Sequence, residues 1–151
     1  MKWFKRVLTS LIILILALLV FFFGFSDSYR YSLEAKVKYA MGDYKEATLL
    51  AKKAFDLDPY NKMSFSIIAQ SKISIKFLDY IEDGKEYLQT IDRLSKKTNL
   101  KTSDKIKIKM MCEVMIGKFK RLTPTVLTEK SLYEKSKKIY EDFVKIYETI
   151  K

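Results

Sequence analysis

Side chains that could carry out chemistry are scarce in this chain of 151 residues. It has no histidine, which excludes histidine-based triads and histidine metal sites, and a single cysteine, Cys112. Cys112 lies in an apolar run beside Met111, which predicts a small buried side chain; a reactive thiol is the alternative. The acidic pairs Glu82-Asp83 and Glu141-Asp142 are adjacent in sequence, so their carboxylates diverge around a helix and do not converge on one substrate.

Glycine and proline are also rare, which bears on both chemistry and fold. The four glycines lie too far apart to form a phosphate-binding loop: Gly24, Gly42, Gly84 and Gly117. Four glycines and two prolines are few for a protein rich in β-turns, so the composition favours an all-α fold with short connections. We therefore expect a protein that is not an enzyme and has no cofactor and no metal site.

The formal net charge is +11, from 29 basic and 18 acidic residues. Such a surplus suits an anionic membrane surface or an acidic partner, and a solvated lysine surface is the alternative. The aromatic residues recur with Leu, Ile and Ala at helical spacing, which predicts core positions, and the lysines are scattered among acids. We therefore expect no nucleic-acid partner.

Residues 7–25 form an almost unbroken apolar segment in which Thr9 and Ser10 are the polar residues. At 1.5 Å per residue a helix of this length spans about 28 Å, close to one hydrocarbon core. The segment predicts a single-pass transmembrane anchor, represented by Val7, Leu11, Leu14, Leu18, Phe22 and Phe25. Gly24 and Ser26 form a small-x-small pair, so a cleaved signal peptide is the alternative.

The charges around this segment predict its orientation. Lys2, Lys5 and Arg6 precede it, which places residues 1–6 in the cytoplasm by the positive-inside rule. Arg30 and Lys36 follow it and reduce the asymmetry, but long domains are translocated largely regardless of charge. The expected location is the bacterial inner membrane, with the C-terminal domain in the periplasm.

Residues 28–61 have a helix–turn–helix pattern. Gly42-Asp43 predicts the end of one helix and the start of the next, and Pro59 ends the second helix. Tyr44, Ala47 and Ala54 recur on one face of that second helix.

This pattern resembles the tetratricopeptide repeat. Ala47 and Ala54 stand at the family's small-residue positions, Tyr44 at its aromatic position, and Pro59 in its closing turn. In the first helix, Tyr31 stands where the family prefers Trp, and Ala35 stands at a small-residue position. The residues predicted to pack the repeat are therefore Tyr31, Ala35, Gly42, Tyr44, Ala47, Ala54 and Pro59.

The resemblance implies a concave surface, formed by the first helix of each repeat, that binds a protein partner. On this helix the predicted partner-binding residues are Tyr29, Ser32, Lys36 and Tyr39. Ser32 and Lys36 do not reproduce the charge pattern with which the family binds peptides.

Two further helix pairs are expected. Residues 62–98 predict a second, divergent hairpin with helices over 62–75 and 78–96, in which Gly84 marks a close helix contact. Residues 102–151 predict a C-terminal hairpin that caps the stack. The stretches 71–77 and 105–110 alternate polar and apolar residues, so strands are the alternative there.

The sequence thus predicts an N-terminal transmembrane helix followed by about three antiparallel helix hairpins, a tetratricopeptide-repeat-like α-solenoid. Its expected function is that of a scaffold or adaptor in an envelope complex, for example a secretion-associated or flagellar motor assembly. The expected partners are membrane or periplasmic proteins, the lipid bilayer and further copies of the chain, because two repeats fall short of a self-sufficient stack. The alternatives are a basic periplasmic domain that binds an anionic surface or polymer, and a chaperone-like holder of translocated chains.

Overall fold

The computed structural model describes the backbone of residues 2–96, 99 and 101–150, and their side chains except those of residues 2–5 and 22–25. Within those ranges it contains six α-helices and no strand, so the all-α prediction is confirmed. The helices are α1 (Lys2–Phe25), α2 (Asp27–Ala40), α3 (Tyr44–Leu57), α4 (Lys62–Ser95), α5 (Thr102–Arg121) and α6 (Lys130–Ile150). The stretches 71–77 and 105–110 are helical.

The chain divides into two compact units, Met1–Ser71 (unit 1) and Lys72–Lys151 (unit 2). Unit 1 contains α1, α2, α3 and the first turns of α4. Unit 2 contains the rest of α4 together with α5 and α6.

In unit 1 the turn between α2 and α3 is formed by Gly42 and Asp43, at the expected position. Gly42 has a φ of +83°, a left-handed conformation that other residues rarely adopt. The N–H of Gly42 donates to the carbonyl of Tyr39 and that of Asp43 to the carbonyl of Lys38, each at 3.0 Å, which ends α2. The Oδ1 of Asp43 then accepts a hydrogen bond from the N–H of Glu46 (3.2 Å) and caps α3.

Alanines form the centre of unit 1. Ala35, Ala47 and Ala51 are fully buried between α2 and α3, and Ile67 of α4 joins the same core cluster. Ala54 is also fully buried, and Tyr44 is 6% exposed. Because alanine side chains are small, the backbones of α2 and α3 approach closely.

Helix α4 corrects the prediction for residues 62–98. The two expected helices are a single α-helix of 34 residues, Lys62–Ser95. No Gly or Pro occurs between Lys62 and Asp83, so nothing in the sequence ends a helix there. Because α4 continues through this region, Phe77 is buried (1% exposed), and its ring makes an edge contact with the ring of Tyr133 in unit 2.

Unit 2 consists of the second part of α4 packed with α5 and α6, which correspond to the two helices expected over 102–151. Ile108, Met115 and Phe143 are almost completely buried in its core. The ring of Phe119 stacks on that of Tyr140, with centroids 4.5 Å apart. Gly84 of α4 lies where an added Cβ would be 2.5 Å from the Cγ2 of Ile139 on α6, so these two helices are in close contact.

Helix α1 contains the apolar segment predicted to be a membrane anchor. Among the described residues, no helix is both long enough and apolar enough to cross a membrane. Phe22 and Phe25 of the predicted anchor lie outside the described side chains. The transmembrane anchor over residues 7–25 therefore stays a prediction.

Candidate functional site

Helix α2 carries a row of uncovered apolar side chains. Leu33 and Val37 of α2 and Met41, the C-cap residue that follows α2, stand at intervals of four residues, so they lie along one side of the helix. Their exposed fractions are 60%, 54% and 76%. Burying a side chain of this kind completely stabilises a contact by about 1.5–3 kcal/mol. This row, called here the α2 stripe, is therefore a surface on which a partner could gain affinity.

The α2 stripe differs from the partner-binding face predicted from the sequence. Lys36 is exposed as expected, but Ser32 is fully buried, so the prediction is wrong for Ser32. Tyr29 and Tyr39 are half-buried, and Tyr39 packs against the core with its ring 5.2 Å from that of Tyr44. The exposed row lies one residue further along the chain than Ser32 and Lys36, a rotation of about 100° around the helix.

Ser32 is buried because it binds the side chain of Asn61, which precedes α4 and is 1% exposed. The Nδ2 of Asn61 donates to the Oγ of Ser32 at 2.7 Å and to the Oγ of Ser28 at 2.8 Å. Ser28 in turn donates through its hydroxyl to the carbonyl of Ala54 near the end of α3, at 2.8 Å. These contacts tie α2, α3 and the start of α4 together.

The other end of the Asn61 side chain caps α4. Its Oδ1 accepts hydrogen bonds from the N–H groups of Met63 (3.1 Å) and Ser64 (3.3 Å). The Oγ of Ser64 donates to the carbonyl of Asn61 at 2.8 Å. The side-chain amide of Asn61 is therefore hydrogen-bonded at both its nitrogen and its oxygen, as burial of a polar group requires.

This cluster of Ser28, Ser32, Asn61 and Ser64, called here the Asn61 cluster, determines which side of α2 faces outward. Ser28, Ser32 and Ala35 lie on one side of the helix, and all three are buried. Leu33 and Val37 lie on the opposite side and therefore remain uncovered. The spacing of the small residues Ser28, Ser32 and Ala35 at i, i+4 and i+7 is the sequence signal for this orientation. The sequence did not predict that Asn61 would bind the two serines.

Burial raises the pKa values of two described side chains in unit 2. Burial, with a smaller effect of Glu113, raises the pKa of the fully buried Cys112 thiol to about 11, so it is protonated at neutral pH. Burial, and then Tyr140, also raises the pKa of Tyr80 above its ordinary value. The described residues contain no group of three or more potential metal ligands.

One ion pair in unit 2 joins Lys118 of α5 to Asp83 of α4. Its Nζ–Oδ2 distance is 2.7 Å, and both side chains are partly exposed. The hydrogen bond to Asp83 is the main cause that raises the pKa of Lys118, so the ammonium group stays charged. This pair joins α4 to α5, and its geometry is that of a structural contact.

Helix α1 exposes apolar side chains in every direction between Val7 and Phe21. The six consecutive residues from Leu11 to Leu16 are all close to half-exposed or more. Because consecutive helical residues are 100° apart, these side chains cover the whole circumference. The hydroxyl of Thr9 donates to the carbonyl of Arg6 (2.9 Å), so this polar group is hydrogen-bonded within the helix.

Comparison with known proteins found no matching family model, no similar curated protein and no similar solved structure. The resemblance to the tetratricopeptide repeat therefore stays a prediction, carried by the residues of segment 28–61.

Proposed function

We propose that the protein is a membrane-attached helical scaffold that binds another protein through the α2 stripe. The observation that carries this proposal is the row formed by Leu33, Val37 and Met41, which is exposed on a helix whose opposite side is fixed in place. A helix held in this way presents its apolar side chains at constant spacing, so a partner's helix or groove can bind them without first ordering the surface.

The tetratricopeptide-like repeat over residues 28–61 is part of the same proposal. It is supported by the complete burial of Ala35, Ala47 and Ala54, the small residues on which the resemblance rests. It is also supported by the packing of the first turns of α4 against α2 and α3, since each repeat of such a stack is covered by the first helix of the next.

Membrane attachment through α1 is proposed on two observations. The helix exposes apolar side chains around its circumference between Val7 and Phe21, and the other helices of unit 1 do not cover them. In water, an uncovered apolar surface of this extent favours aggregation or insertion into an apolar phase. With the basic residues Lys2, Lys5 and Arg6 in the first turns of α1, ahead of its apolar segment, the proposal places the remainder of the chain in the periplasm, as an adaptor in an envelope complex.

The partner-binding proposal is tested by co-purification with two pairs of matched variants. The variant L33S/V37S removes two side chains of the α2 stripe, and L49S/L57S removes two leucines of α3 that are 56% and 57% exposed. The full chain is extracted in mild detergent, and bound proteins are quantified by mass spectrometry. We expect L33S/V37S to reduce the recovered partner at least about tenfold, equivalent to 1.4 kcal/mol, while L49S/L57S leaves it unchanged.

Two outcomes would contradict this proposal. One is recovery of the wild-type chain without any partner, and the other is an equal loss of partner in the two variants. Attachment through α1 is tested separately by alkaline extraction of membranes. The proposal requires the chain to stay in the membrane pellet and its intact mass to include residues 1–25.

A further inference from the structure

Helix α5 in unit 2 also carries an uncovered apolar row. Ile106, Met110 and Val114 are 55%, 60% and 43% exposed, and they follow each other at intervals of four residues. They are called here the α5 stripe. The opposite side of α5 carries Ile108 and Cys112, which are buried in the core of unit 2. The α5 stripe is therefore the outer ridge of a single helix.

The residues on both sides of the α5 stripe are mostly basic. Helix α5 contains six basic and two acidic residues. Relative to Met110, the exposed side chain of Lys107 lies about 60° to one side, and that of Lys120 lies about 80° to the other. Glu113, the exposed acidic residue of this helix, accepts a hydrogen bond from the hydroxyl of Tyr147 at 3.1 Å.

We propose that the α5 stripe binds an anionic lipid surface. Ile106, Met110 and Val114 would enter the interfacial region, and the ammonium groups of the flanking lysines would reach the head-group phosphates. Lysine suits this arrangement because its long apolar stem can lie along the interface while the charge stays in water. Each lysine close to such a surface adds attraction to anionic lipid.

Charge favours anionic lipid as the occupant of the α5 stripe. A second copy of α5 would bring the same basic residues face to face, and like charges disfavour that contact. Helix α2 carries three basic and two acidic residues, so the surplus of positive charge beside an apolar row distinguishes α5 from α2, and an anionic surface complements it. This inference concerns unit 2 and does not depend on the α2 stripe.

A polarity-sensitive label in place of Met110 tests the inference in the full chain. The variant M110C is labelled with a nitrobenzoxadiazole fluorophore, and the matched control is K138C on the exposed side of α6. The wild-type chain is carried through the same labelling to measure any signal from the buried Cys112. Each sample is mixed with vesicles of phosphatidylcholine alone or of phosphatidylcholine with phosphatidylglycerol.

We expect the emission of the label at position 110 to shift to the blue on the phosphatidylglycerol vesicles and to be quenched by spin-labelled lipid. The control label at position 138 should not respond. The response at position 110 should fall on neutral vesicles and at high salt. The readout is local, so it reports on α5 whether or not α1 attaches the chain to the vesicle. An unchanged emission at position 110 on vesicles that carry the chain, or an equal shift on both types of vesicle, would overturn the inference.

Charge variants test the role of the flanking lysines. In the labelled M110C chain, K107Q/K120Q removes two lysines beside the α5 stripe, and K135Q/K138Q removes two exposed lysines of α6. We expect the first variant to weaken the interaction of the labelled face with phosphatidylglycerol vesicles by about 30-fold at low salt. The second should leave it unchanged. Equal effects of the two variants would show that net charge alone causes binding, and this result would also overturn the inference.

Discussion

Gly84 offers a sharp test of the packing between α4 and α6. A Cβ at this position would lie 2.5 Å from the Cγ2 of Ile139 and 3.3 Å from the Cε of Met115. Gly117 of α5 provides a matched control, because it is also a helix glycine and a Cβ there would meet nothing within 4 Å. The two substitutions G84A and G117A thus make the same chemical change in crowded and in open surroundings.

The two substitutions should change the free energy of unfolding in opposite directions. Alanine within a helix is preferred over glycine by about 0.5–1 kcal/mol, so G117A should stabilise unit 2 by that amount. G84A gains the same preference but forces Ile139 to move, and inserting a methyl group into a well-packed core costs about 1–3 kcal/mol. The net effect of G84A is therefore a decrease of about 1 kcal/mol, and of no more than about 2.5 kcal/mol, in the free energy of unfolding. The flexible Met115 side chain can move at little cost, so Ile139 accounts for most of this decrease.

Urea unfolding of the full chain in mild detergent, followed by circular dichroism, measures both effects. A second pair of chains, I139A and G84A/I139A, isolates the steric contact. Once the Ile139 side chain is removed, G84A should no longer destabilise and should recover its helix preference. The explanation would be refuted if G84A stabilised the protein as much as G117A. It would also be refuted if G84A cost the same in the I139A background as in the wild type.

Four further results are expected. N61A removes the buried amide that caps α4 and binds the two serines of α2, so it should lower the free energy of unfolding by about 2–4 kcal/mol. In the same urea titration, N99A at an exposed position should change this free energy by no more than about 0.5 kcal/mol. Iodoacetamide at pH 8 should alkylate folded Cys112 about a hundredfold more slowly than the urea-unfolded chain, because burial raises the pKa of this thiol to about 11. Because the pKa of this thiol is higher in the folded than in the unfolded chain, its contribution to stability is constant below the unfolded pKa and is lost as the pH rises toward 11. A free energy of unfolding that stayed constant through this pH range would contradict the raised pKa of Cys112. K118M breaks the partly exposed pair with Asp83 and should change the unfolding free energy by no more than about 1 kcal/mol.

The helices of unit 1 could be predicted because local residues determine where they begin and end. Gly42 supplies the positive φ between α2 and α3, and Asp43 caps α3, and both effects act within a few residues. The prediction of two helices in place of α4 is wrong because it followed the length of a repeat, which requires a turn near residue 76. No residue between Ile75 and Leu78 favours a turn. The sequence also indicated a close contact at Gly84, but its partner, Ile139, lies on the last helix of the chain.

The candidate site was harder to predict because it depends on contacts between distant residues. Ser32 is polar and looks suitable for a surface, and its burial depends on the amide of Asn61, 29 positions away in the sequence. Local sequence patterns cover only a few residues, so they do not reveal a contact between residues this far apart in the chain. Once Ser32 and Ala35 are known to be buried, the outward position of Leu33 and Val37 follows from helix geometry alone.

The central claim, that a protein partner occupies the α2 stripe, is tested most directly by photo-crosslinking in cells. A benzoylphenylalanine residue is introduced in place of Val37 in one chain and in place of Lys45, an exposed residue of α3, in another. We expect irradiation to join one defined protein to position 37 and not to position 45, and the adduct should disappear when L33S is added. No adduct at position 37, or equal adducts at both positions, would contradict the claim.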